Sequence, residues 1–154
     1  MQHRFGPVRG SLLLGLLWMG WHLLLYGPAW FQLGIIGGAA GAGFFVTGTA
    51  LSFIFTWLSN NTKASLLLAI LLHCSVDGTA TYMQVLAEKG VISETAATNS
   101  TQFGPLIACV VWAVLLTVVT RGRLSYQRYR DEAEQLDLAV NRAAASSSGP
   151  DHGS

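Results

Sequence analysis

Charged residues are scarce in this sequence. Asp, Glu, Lys and Arg make up 11% of the 154 residues, whereas soluble domains contain about 25%. The stretch over residues 10–62 contains no charged residue at all. With a formal net charge of only +1, the chain gives no case for nucleic acid as a partner, because phosphate binding requires Lys and Arg gathered on one face.

Cysteine is also scarce, and both cysteines, Cys74 and Cys109, lie in apolar stretches. No Cys-x-x-Cys pair and no Cys/His spacing typical of a zinc finger occurs. The sequence therefore excludes a disulfide framework and a structural zinc site of that type. Both thiols are interpreted as small apolar side chains.

Long apolar runs make up most of the uncharged sequence. Hydrophobic residues make up 51% of the chain, and one bilayer crossing takes roughly 20 of them in sequence. The runs predict an all-α, polytopic membrane helix bundle with about four transmembrane helices. We expect a turn at residues 26–32, where Gly27 and Pro28 disfavour a helix. The four predicted spans cover residues 8–26, 33–58, 64–86 and 103–120.

The few basic residues are unevenly distributed about these spans. With both termini cytoplasmic, Lys89 is the one basic residue outside, and the other eight of the nine lie inside. This asymmetry follows the positive-inside rule and predicts the orientation. The alternative interpretation of the first span as a signal peptide lacks a small-residue cleavage pattern after it.

Composition divides the chain into three parts. Residues 1–120 form the transmembrane domain, including a polar loop over about 87–102. Residues 121–142 are predicted to form a charged cytoplasmic helix, and residues 143–154 a disordered tail.

The second predicted span is rich in glycine at a regular spacing. Gly34 and Gly38 are four residues apart, as are Gly37 and Gly41. Because small residues allow close approach of helices in lipid, we expect this span to pack tightly against its neighbours. A homodimer face is the alternative.

Two histidines and one acidic residue stand inside the predicted spans: His22, His73 and Asp77. Such groups cost several kcal/mol in a bilayer, roughly, and normally face the protein interior or a watery cavity. The first and third spans cross in the same direction, so His22 and His73 are expected at comparable depth, with Asp77 one turn after His73. Imidazole can exchange a proton near neutral pH, bind a metal, or donate to an oxyanion.

Two motifs in this set resemble those of a known family. Trp18-x-x-x-His22 is similar to Phe-x-x-x-His, and His73-x-x-x-Asp77 to His-x-x-x-Asn/Asp, in the CPBP family (CAAX protease and bacteriocin-processing enzymes, also called ABI). The resemblance covers about residues 3–85. It implies a polytopic intramembrane endopeptidase in the bacterial plasma membrane, which hydrolyses a membrane-associated peptide or protein substrate.

The resemblance also implies roles for the three residues. In the family a Glu activates water with help from the first His, while the second His and the Asn or Asp steady the oxyanion. Carried over, His22 positions or deprotonates water, and His73 with Asp77 stabilises the tetrahedral intermediate. An ionised Asp77 donates no hydrogen bond, so it would orient His73 or be protonated. A divalent metal such as zinc between His22 and His73 is a further option, although glutamate-based chemistry accounts for the same residues.

The first family signature, Glu-Glu-x-x-x-Arg, is missing. The four Glu residues all fall outside the predicted spans: Glu88, Glu94, Glu132 and Glu134. We expect either a misassigned start or truncated gene, or a short relative that lost hydrolysis. In both cases this chain alone is expected to have little or no peptidase activity.

Two other functions compete with the peptidase. In a membrane scaffold or bacteriocin-immunity-type protein, the same residues would form a buried polar network that fixes helix packing. A small transporter or metal-handling protein would need a continuous polar path, and the second and fourth spans offer only scattered Thr and Ser.

Overall fold

The computed structural model describes residues 2–147, except for the side chains of residues 3 and 144–147. Over that range the chain is all-α, as predicted from the sequence. Four of the helices are long and apolar enough to cross a membrane: α2, α3, α4 and α5. The helices are α1 Gln2–Phe5, α2 Pro7–Gln32, α3 Gly34–Asn61, α4 Leu66–Glu88, α5 Glu94–Val119 and α6 Tyr126–Ser147.

The predicted turn at residues 26–32 was wrong, because α2 continues through Gly27 and Pro28 to Gln32. A proline removes one backbone donor, and transmembrane helices tolerate that loss. The chain instead reverses at Leu33 and Gly34, where Gly34 has a φ of 59°. Glycine adopts this left-handed conformation without the steric cost that other residues meet.

The polar loop predicted over residues 87–102 is also shorter than expected. Helix α4 ends at Glu88 and α5 begins at Glu94, so the connection is residues 89–93. The Ser93 side chain accepts a hydrogen bond from the Ala96 backbone N–H at 3.1 Å, and Glu94 lies in the first turn. A capping hydroxyl and an acidic first turn both stabilise a helix start, which explains how a polar segment continues the fourth span.

Helix α6 takes up most of the tail. It begins at Tyr126 and continues to Ser147, so residues 143–147 are helical where the sequence predicted disorder. Alanine is the strongest helix former, and the three alanines at 143–145 extend the helix. The rest of the predicted disordered tail, residues 148–154, lies outside the described residues.

Helices α2 and α3 form a tightly packed hairpin. A Cβ added at Gly15 would lie 2.9 Å from Thr49 Cα, so only glycine fits there. The Ser11 hydroxyl donates to Thr56 Oγ1 at 2.7 Å, and the Ser52 hydroxyl to the Ser11 carbonyl at 2.7 Å. Both bonds are buried, and interhelical hydroxyl bonds of this kind stabilise helix pairs in lipid.

The glycine spacing of α3 serves this hairpin in part. Added Cβ atoms at Gly37 and Gly41 would meet Trp30 of α2, whereas no described atom lies within 4 Å of one at Gly38 or Gly34. The Gly37 and Gly41 face therefore packs within the chain, and the Gly34 and Gly38 face is open.

Asn60 joins several elements at one end of the bundle. Its side-chain amide donates to the Leu124 carbonyl at 2.8 Å and to Gln2 Oε1 at 3.0 Å. Asn60 is 2% exposed and Leu124 0%. These bonds bring together the start of the chain, the end of α3 and the turn between α5 and α6.

Helix α4 differs from the other spans, because none of residues 66–88 is buried. It crosses beside α5 and touches α3 less extensively. The main core lies elsewhere, between α3 and α5, around Ala50, Leu51, Cys109 and Ala113. The helix that carries His73 and Asp77 is therefore held loosely at the edge of the bundle.

Candidate functional site

Trp18 lies at the centre of the candidate site. Its indole contacts both predicted histidines, with ring centroids 5.9 Å from His22 and 5.4 Å from His73. Trp18 is thus level with His73, and His22 lies one helical turn beyond. The sequence predicted the two imidazoles at comparable depth, and the structure joins them through the indole rather than to each other.

The hydrogen bond of His22 defines its tautomer. Nδ1 of His22 lies 2.7 Å from the Trp18 carbonyl oxygen, one turn earlier in α2. A carbonyl only accepts, so Nδ1 carries the proton and donates. Nε2 of a neutral His22 is left with a lone pair that can accept a proton or bind a metal.

His73 and Asp77 form the predicted pair on one face of α4. His73 Nε2 lies 3.3 Å from Asp77 Oδ2. An ionised carboxylate only accepts, so this contact favours a proton on Nε2. The other nitrogen, Nδ1, is buried and has no hydrogen-bond partner among the described residues.

A cavity of about 490 Å³ leads to His73. It lies between α2, α3 and α4 and is lined by His73, Trp18 and Phe55 at one end, and by Gln2, Ser59 and Ser65 at the other. Since Gln2 bonds to Asn60 at the end of the bundle, the cavity runs from that end towards the middle of α4.

Asp77 lies outside this cavity lining. Its side chain is 68% exposed on the outer face of α4, against 43% for His73. The carboxylate therefore reaches the cavity only through the imidazole of His73. This position suits a group that orients His73 rather than one that touches a substrate.

The four glutamates lie outside the candidate site. Glu88 and Glu94 flank the connection between α4 and α5, and Glu132 and Glu134 lie on α6. None of the four lines the cavity that contains His73. Among the described residues, His73 is thus the one ionisable group in the cavity lining, and His22 and Asp77 lie outside it.

Residues 2–147 contain no complete set of ligands for the predicted zinc site. Zinc in proteins takes three or four protein ligands, and no group of three His, Cys, Asp or Glu side chains with metal-binding geometry occurs among the described residues. Trp18 contacts both rings that would supply the first two ligands. His22 and His73 as metal ligands stay a prediction, and no step below depends on a metal.

Phe55 is the site residue that the sequence did not predict. Its ring lies 5.7 Å from Trp18 and 6.4 Å from His73, centroid to centroid. With Trp18 it forms the aromatic wall that holds the imidazole of His73. One phenylalanine within an apolar span has no spacing that distinguishes it from its neighbours, so sequence patterns carried no signal for it.

Comparison of the chain with family models, with curated proteins and with solved structures finds no match. The CPBP resemblance therefore stays a prediction that depends on the two short motifs in α2 and α4.

Proposed function

We propose that this chain has the function of a CPBP-type intramembrane peptidase, acting on a membrane-associated peptide or protein in the bacterial plasma membrane. The observation that supports this proposal best is His73 in the lining of a cavity, with Asp77 beside its imidazole outside the cavity and His22 on the other side of Trp18. Ionisable groups placed at such depth in a membrane protein usually serve function.

The two imidazoles would divide the chemistry between them. Nε2 of His22 would accept a proton from the attacking water, because Nδ1 is already committed to Trp18. His73 would donate from Nδ1 to the oxygen of the scissile carbonyl once the substrate displaces the side chains that bury this atom. Asp77, 3.3 Å from Nε2, would orient that imidazole, which is one of the two roles predicted for it.

His22, His73 and Asp77 include no second carboxylate that could lie beside the attacking water. In the proposal, His22 alone is a weak activator, so the chain by itself has little or no peptidase activity. This expectation depends on the positions of Glu88, Glu94, Glu132 and Glu134, which all lie outside the cavity.

The proposed orientation places both termini in the cytoplasm. Arg9 opens α2 and Lys63 follows α3, at the end of the bundle that Asn60 joins, and Arg121 follows α5 at the same end. Lys89 lies at the opposite end, after α4. The positive-inside rule then assigns the end with Asn60, and with it α6, to the cytoplasm.

The test supplies the absent carboxylate as a small molecule. The purified chain in liposomes is given a mixture of quenched-fluorescence peptides, with and without added formate. Formate is small enough for the cavity of about 490 Å³. We expect cleavage to rise by about tenfold or more with formate, since general bases contribute at least that much, and to disappear in His73→Ala and His22→Ala.

Asp131→Asn is the matched control, because Asp131 lies on α6 outside the cavity and its loss should leave cleavage unchanged. Fast cleavage by the chain without formate would contradict the proposed role of the missing carboxylate. Formate that produces no cleavage, or cleavage that survives His73→Ala, would contradict the proposed peptidase.

A membrane scaffold is the second candidate. It is favoured by one observation: each histidine has its polar contact within its own helix, His22 with the Trp18 carbonyl and His73 with Asp77, while the Trp18 ring connects the two helices. In that function the three residues fix packing, so His73→Ala would lower the unfolding free energy. The peptidase proposal expects the reverse pattern, with activity lost and stability kept.

A further inference from the structure

Helix α6 carries an apolar stripe with the spacing of a coiled coil. Apolar residues recur at alternating intervals of three and four residues, which is the a and d pattern of a heptad repeat. The stripe consists of Tyr126, Tyr129, Ala133, Leu136, Val140 and Ala143. At its beginning the two tyrosine rings stack on each other, 6.3 Å apart.

The second half of this stripe is uncovered. Leu136 is 67% exposed and Val140 is 60% exposed, and both belong to the cytoplasmic side in the proposed orientation. Apolar side chains so exposed in water favour association with another surface. The question is which surface covers them.

Charge argues against the membrane surface as the cover. Residues 126–147 contain three arginines and four acidic residues, so the net charge of α6 is slightly negative. Helices that bind the surface of anionic membranes carry Lys and Arg in excess on their polar face. Arg128 is already paired with Glu132 at 3.1 Å, which reduces the free positive charge further.

The pattern of charge beside the stripe favours a second copy of the same helix. Arg130 and Asp137 occupy equivalent e positions, one heptad apart, and neither has an ion-pair partner within the described part of the chain. In an antiparallel pair, Ala133 of one helix packs on Leu136 of the other. Arg130 then lies beside Asp137 of the second copy, and this contact occurs twice.

A parallel pair has the opposite charge pattern. The g position Glu132 would then face the e position Asp137 of the second copy, and like charges would meet twice. We therefore propose that the chain self-associates through α6, with the helices of two copies paired antiparallel along the stripe that contains Leu136 and Val140. Confinement of both copies to one membrane raises their effective concentration and favours a short interface of this kind.

The experiment measures self-association of the full chain in bilayers by energy transfer between labelled copies as the lipid-to-protein ratio is varied. Asp137→Arg should weaken association about fivefold or more, because two attractive pairs become repulsive. The double variant Arg130→Asp with Asp137→Arg should restore it. Asp131→Arg makes the same charge change at an f position, away from the stripe, and should have no effect.

The outcomes separate antiparallel pairing from its alternatives. Stronger association in Asp137→Arg would indicate a parallel pair and overturn the proposal. Equal association in Asp137→Arg and Asp131→Arg, or none in the unaltered chain, would overturn it as well. Far-UV circular dichroism of each variant checks that α6 remains helical, and Leu136→Asn should weaken association independently of charge.

Discussion

The α2–α3 hairpin and helix α4 are both built to cross a membrane, yet they are held in contrasting ways. The hairpin is closed by glycines in close contact and by buried hydroxyl bonds, such as that from Ser11 to Thr56. Helix α4 buries none of its residues 66–88, although it carries the His73–Asp77 pair.

The polar residues that hold the helices together and the residues of the candidate site on α4 have different surroundings. The Ser11 and Ser52 hydroxyls of the hairpin are satisfied by neighbours and so contribute to stability, whereas Thr49 Oγ1 is buried with no partner among the described residues. On α4, the partly exposed His73 and exposed Asp77 contribute little to packing. Substitutions in the two regions should therefore have unequal effects on stability.

Gly15→Leu should cause the largest loss of stability. A side chain there meets the Thr49 backbone at 2.9 Å, and the two helices must separate to admit it. We expect a loss of about 3 kcal/mol in unfolding free energy, measured by titration with SDS in bicelles. Gly20→Leu on the same helix is the control, since no described atom lies within 4 Å of its added Cβ. Equal losses in the two variants would show that the hairpin is not closely packed.

Asn60→Ala should have the next largest effect. The substitution removes the donor to the buried Leu124 carbonyl and to Gln2, and a buried acceptor left unsatisfied costs about 2 kcal/mol. Asn61→Ala removes a bond to Trp57 within the same helix, and we expect a loss of about 0.5 kcal/mol or less. A comparable loss in the two asparagine variants would contradict the role of Asn60 in joining the elements.

The architecture could be predicted from hydropathy, because a bilayer crossing requires a long apolar run whatever the residues pack against. The ends of the helices could not. Pro28 signals a break in soluble proteins, yet α2 continues past it. The polar residues after Ser93 resemble a loop, yet they continue the fourth span. Local helix propensity did not locate these ends, because helix capping and the left-handed φ of Gly34 determine where the helices begin and end.

The candidate site was predicted only in its ionisable members. The four-residue spacing of His73 and Asp77 places them on one helical face, so their contact could be predicted from the sequence. Which side chains meet across helices depends on the rotation and height of each helix. That is why the position of Trp18 beside His73, and the part played by Phe55, came only from the structure.

His73→Ala should have the smallest effect on stability. Because α4 buries no residue over 66–88, the truncation opens no cavity in a packed core. We therefore expect a change of about 0.5 kcal/mol or less in unfolding free energy. Phe53→Ala on α3 provides the comparison, since its ring packs against the main core and its loss should cost about 3 kcal/mol. If His73→Ala instead approaches the cost of Phe53→Ala, α4 is held through its imidazole. The contrast between the hairpin and α4 then fails, and the scaffold function gains over the peptidase.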